Sequence, residues 1–88
     1  MATEKTIKLP YDRVKKALGY LGMVYSPRSV QGGKQLKLTF LGYEHVSVTV
    51  FESTNSVLVQ PHDAPEADFL RTVFKLRALK LRQDGEIE

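Results

Sequence analysis

Apolar and polar residues alternate along much of this chain, and the period changes from two to three or four at two places. "KTIKL" sets Ile7 and Leu9 against Thr6 and Lys8, the pattern of a half-buried strand. Pro10 then opens a helix in which Tyr11, Val14, Leu18 and Leu21 recur at steps of three and four, with Ala17 beside them. Gly19 weakens its middle, and Gly22 is placed to stop it in the left-handed conformation. "MVYSPRSV" is extended; its Pro27 removes a ladder donor and suits an edge strand. "QGGK" is a hairpin turn signal. "QLKLTFL" follows, with Leu36, Leu38 and Phe40 on one side and Lys37, Thr39 and Leu41 on the other. "GYEH" turns the chain into the strand pair "VSVTVFESTNSVLVQP", joined through "STN". There Val46, Val48 and Val50 alternate with Ser47 and Thr49, and Phe51 falls on the hydroxyl side, with Leu58 doing the same one strand over.

The last element is the longest. Asp63 followed by Glu66 has the spacing of a capping box, with Pro65 in the first turn. A helix is predicted from there to about Arg82. On a 100° wheel Phe69, Leu70, Val73, Phe74, Leu76 and Leu81 make one broad apolar face, and Arg71, Lys75 and Arg82 line the other as a candidate partner surface. Arg77 falls inside the apolar arc, where its stem can lie along that surface with the charge at the rim. "QDGEIE", residues 83–88, reads as a frayed tail.

The order strand, helix, four strands, helix predicts one α+β domain over residues 1–88, with a core at about 5–82. Two amphipathic helices cover only one face of a curved antiparallel sheet of this size, so both are expected on the same side. The bare face then collects Thr6, Lys8, Lys37, Thr39, Leu41, Ser47, Thr49, Phe51, Leu58 and Gln60, with Arg28 and Val30 near its edge.

Charge is segregated along the chain. Residues 1–37 hold eight Lys/Arg against Glu4 and Asp12, residues 38–70 hold five acids and no base, and residues 71–82 hold five bases and no acid. Basic surfaces separated from an acidic one are expected. The chain has no cysteine, so disulfides and thiolate metal sites are excluded. No apolar run approaches the ~20 residues that span a bilayer, and "MATEKTIKLP" lacks the apolar segment of a secretory signal. An intracellular location, cytoplasmic or nucleoid/nuclear, with no membrane partner, is the expectation. His45 and His62, the only histidines, both fall at turns. With no third ligand beside His62 and Asp63 a metal site is not expected, and neither a cofactor nor an enzyme's nucleophile–base set is in view.

Some residues resemble a single repeat of the TATA-binding-protein fold. "YSPRSV", Tyr25 to Val30, is similar to that family's Tyr-Asn-Pro-Lys-Arg-Phe segment; "VTVFESTNSVLVQP" is similar to its strand–turn–strand, and the helix after Asp63 matches its last helix. The resemblance implies that the bare face sits on a widened DNA minor groove, with Phe51 at the position of a wedge that unstacks a base step. Val30 stands at the partner wedge, Lys8 at a groove-reading Asn, "STN" at the Ser-Gly-Lys turn and Gln60 at the closing Thr. A single copy of the same fold also occurs at the front of ribonuclease HIII, and the helix–strands–helix core is similar to HicA-type toxins as well. Two functions follow as expectations. One is a nucleic-acid-binding module, DNA favoured over RNA, using Lys8, Arg28, Val30, Lys37, Thr39, Thr49, Phe51, Leu58 and Gln60. The other is a protein-interaction module working through the open sheet face and the C-terminal helix.

The family's saddle has two repeats side by side, and this chain has one. A two-fold homodimer that rebuilds the saddle is therefore expected. Light scattering over a wide concentration range checks it: a 10.0 kDa particle throughout excludes the dimer.

Overall fold

The valines of the central strands decide which way the sheet packs. Val46, Val48, Val50 and Val59 are at most 2% exposed, as are Leu36 and Leu38. The structure, a computed structural model, describes residues 7–87; the expected start of the first strand, Thr6 included, lies outside them. In chain order the elements are β1 (Ile7–Lys8), α1 (Tyr11–Tyr20), β2 (Tyr25–Val30), β3 (Gly33–Leu38), β4 (Ser47–Phe51), β5 (Ser56–Gln60) and α2 (Pro65–Gln83). All strands pair antiparallel in one open sheet of order β1-β5-β4-β3-β2. The α+β class agrees with the element order predicted above.

One core serves both helices. Val14, Ala17 and Leu18 of α1 and Ala67, Leu70, Phe74, Ala78 and Leu81 of α2 join Ile7, Leu36, Leu38, Val48, Val50, Val57 and Val59. The registers Leu36 with Val48, Val48 with Val59 and Val50 with Val57 put these strand residues on one face. Each helix ends on a glycine at positive φ, Gly22 at 71° and Gly85 at 75°. Backbone bonds from Met23 to Leu18 and from Glu86 to Leu81 close both ends in the same way, satisfying carbonyls that would otherwise be orphaned.

Several expectations change. The buried stripe of α2 runs through Ala67, Leu70, Phe74, Ala78 and Leu81, whereas Phe69, Leu76 and Leu79 are 45%, 62% and 49% exposed. Small alanines, invisible to a search for large apolar residues, let α2 sit close to the sheet. The capping box does not form. Pro65 takes the first helical position, where its missing N–H costs no bond, so Ala64 becomes the cap and Asp63 falls one residue too early. Leu41 leaves the sheet for the loop after β3 and is 85% exposed. The tail is not frayed as far as Ile87, which packs against the core, while Glu86 pairs with Arg13 at 2.7 Å.

The two sheet edges differ. Thr39 N–H donates to the Val24 carbonyl at 2.9 Å, so Ser26, Arg28 and Val30, two residues apart along β2, turn their backbone toward β3. Tyr25, Pro27 and Ser29 then face away from the sheet. Pro27 thus breaks no bond within the sheet and removes the outward donor at the centre of the free edge, which blunts it against pairing.

Glycines test the packing directly. A Cβ on Gly33 would collide with the Val50 carbonyl oxygen and lie 3.0 Å from Phe51 Cα, whereas one on Gly19 meets nothing within 4 Å. Gly33→Ala is expected to destabilise by roughly 1–3 kcal/mol. Gly19→Ala, inside α1, is expected to stabilise by about 0.5–1 kcal/mol. Thermal unfolding of the two variants checks both signs.

Candidate sheet-face site

The sheet residues that the core does not use lie in rows across the opposite face. The first row is Val30, Gly33, Phe51, Ser56 and Lys8; the second is Arg28, Gln35, Thr49 and Leu58; the third is Ser26, Lys37, Ser47 and Gln60. Among the described residues Lys8, Arg28 and Lys37 are its only charged members, and no carboxylate stands in these rows. Glu52 follows in the turn just after Phe51.

The glycine hairpin explains how Phe51 is held. Gln31 and Gly32 turn the chain, with Gly32 at φ 82°. Gly33 stands directly opposite Phe51 and has no side chain, and a Cβ on Gly32 would lie 3.8 Å from Cδ1 of the ring. The ring therefore rests over the hairpin backbone. Phe51 is half-buried without belonging to the core, and Val30, also half-buried, stands across Gly33 from it. Leu58, in the next row, is 42% exposed.

A polar ladder runs through the second row. Arg28 Nε donates to Gln35 Oε1 at 2.8 Å, and Gln35 Nε2 donates to Thr49 Oγ1 at 3.2 Å. These bonds orient the Gln35 amide and leave its second N–H available. Thr49 is closed off beneath it at 6% exposure, so the outward polar group at this place is Gln35, not Thr49. Gln35 opens the expected strand "QLKLTFL", but nothing in its local sequence marks it as a contact; the pairing with Thr49 puts it at the centre of the face. Lys8, Lys37 and Gln60 are exposed where expected. Thr39 lies one residue beyond β3, exposed and still bonded to Val24. Lys34, on the other parity, lies over the Tyr11 ring beside Lys15 on the helix side, at 5.4 and 4.8 Å.

The three residues expected to form a partner surface on α2 do not act alike. Lys75 and Arg82 are exposed. Arg71 is not part of that surface: its side chain is 12% exposed, and its guanidinium donates to the carbonyls of Val59 at 2.8 Å and Pro61 at 3.3 Å and to Asp68 at 2.6 Å. It ties α2 to the end of β5, a role that wheel geometry does not reveal. His45 Nε2 lies 3.0 Å from Glu66 Oε1 on the surface. Backbone hydrogen bonding in the first turn of α2, and then His45, hold the Glu66 carboxyl below its ordinary pKa. Among the described residues no group of three His, Cys, Asp or Glu is placed to hold a metal, and no helix is long and apolar enough to cross a membrane. Comparison with protein-family models, with the curated proteins and with the solved structures finds no match to this chain.

The α2 residues separate by stability. Arg71→Met is expected to lose roughly 1.5–3 kcal/mol, the worth of hydrogen bonds to a charged group. Lys75→Met, on the exposed side, is expected to stay within about 0.5 kcal/mol of the parent. Denaturant unfolding checks both.

Proposed function

We propose that this protein is a small non-enzymatic module that binds nucleic acid, DNA in preference to RNA, through the helix-free face of its sheet. The observation that supports this reading is the composition of that face. Lys8, Arg28 and Lys37 sit among apolar Phe51 and Leu58 with no carboxylate in any row. Cations without interspersed acids suit a phosphate backbone, and a half-exposed aromatic ring held on the sheet suits a base step or an unstacked base. The free N–H of Gln35 and the lysines are donors, and the minor groove of DNA offers acceptors along its floor. On this reading the sheet is one repeat of a TATA-binding-protein-like saddle, with Phe51 and Val30 as strong and weak wedges in one row. Two copies that rebuilt a full saddle would join along β1, because Pro27 blunts the β2 edge.

Binding to labelled duplex DNA, single-stranded DNA and duplex RNA, titrated against salt, tests the reading. Affinity is expected to fall steeply with salt, with duplex RNA weakest. Lys37→Gln and Arg28→Gln are each expected to reduce the log–log salt slope by about one. Phe51→Ala is expected to weaken binding by about 1–3 kcal/mol while costing far less stability than the ~3–5 kcal/mol of a core Phe. No binding to any of the three at low salt overturns the proposal.

A further inference from the structure

Large apolar side chains stand exposed at a second place, on the helix side of the molecule. Arg13, early in α1, reaches Glu86 just beyond α2, while Tyr20, at the other end of α1, stacks under Arg77 with the guanidinium 4.9 Å from the ring centre. The helices therefore run antiparallel. Between the C-terminal half of α1 and the middle of α2 lies an open groove of about 430 Å³, walled by Tyr20, Leu21, Val73, Leu76, Arg77 and Lys80. Tyr20 is 76% exposed and Leu76 62%. Exposed apolar side chains gathered around one groove mark a contact surface.

Charge selects the occupant. The sequence holds no carboxylate between Asp12 and Glu44, and none between Asp68 and Asp84. Lys80 reaches Asp84 at 3.4 Å, but both side chains are well exposed and such a pair is weak. Arg77 has no ion-pair partner among the described residues, and its Nε is buried without a hydrogen bond. The groove is thus apolar along its floor and cationic at its rim. Like charge opposes a second copy of this chain, whose α2 holds only bases from Arg71 to Arg82.

We infer that this groove docks an acidic amphipathic helix of a partner protein. Apolar residues of that helix, spaced i, i+4 and i+7, fill the space between Tyr20 and Leu76, and its flanking Glu or Asp residues meet Arg77 and Lys80. The surface is separate from the sheet face, so each reading survives the failure of the other.

The test is a displayed library of helical peptides of about 20 residues, selected against the intact protein and followed by anisotropy and amide-shift mapping of the winners. Enriched peptides are expected to be net acidic with that apolar spacing and to shift Tyr20, Val73 and Leu76. L76E and K80E, both at exposed positions, are expected to weaken them at least about tenfold, with unchanged melting, while F51A leaves them unaffected. The inference is overturned by absent enrichment, by neutral or basic winners, or by shifts on the sheet face. It is equally overturned if the groove residues shift with protein concentration alone as the particle doubles, or if vesicles of anionic phospholipid bind in an L76E-sensitive way.

Discussion

Side chains alternate across a pleated strand, and two helices are enough to cover only one side of a five-stranded sheet. Together these facts divide the molecule into a core and its complement. Val48 and Val50 are completely buried, so Phe51, one residue on, has to point the other way. The same parity sends Lys8, Arg28 and Lys37 to the uncovered side. The open face is therefore not an additional feature of the fold. It is made of whatever the core does not use, and its chemistry depends on the burial of the valines behind it.

That dependence reaches into the details of the face. Gly33 keeps the hairpin backbone close against β4, where a side chain would collide with the Val50 backbone, and the Phe51 ring lies beside Gly32. Arg28, Gln35 and Thr49 are bonded in line across three strands, so the Gln35 amide is held in place by the register of the sheet. Arg71 fastens α2 to the end of β5 through two backbone carbonyls, which helps keep the covered side covered. A charge that looks free in a helical projection is in fact part of the scaffold.

Acids meet bases in surface pairs such as Arg13 with Glu86 and Arg71 with Asp68, but they are gathered at a few places. Glu66 and Asp68 occupy the first turn of α2, where the helix dipole favours them, and Asp84 lies just past its end. Among the described residues the rows of the sheet face and the lining of the groove between the helices hold no acid, although the two differ in what surrounds the cations. The first sets them around the Arg28–Gln35–Thr49 ladder, and the second around an apolar cleft holding Tyr20 and Leu76. The two surfaces lie on opposite sides of one core.

The sequence alone determined the class of the fold, most of its elements and the residues behind the sheet. Period-two alternation and glycine or proline punctuation are local signals that survive without knowledge of the partner strand. Phe51 and Leu58 were legible as outward-facing for the same reason. Other features required pairing between distant segments. Gln35 became the centre of the face only through its register with Thr49, and Thr49 was lost as a contact by that bond. The inward stripe of α2 was decided by how closely Ala67 and Ala78 let the helix approach, and the cap moved to Ala64 because Pro65 occupied the first helical position. Arg71 could be assigned only once β5 had brought the Val59 carbonyl within 2.8 Å. Periodicity reports which side of an element faces inward. Which neighbour waits there, and at what distance, is a property of the assembled chain.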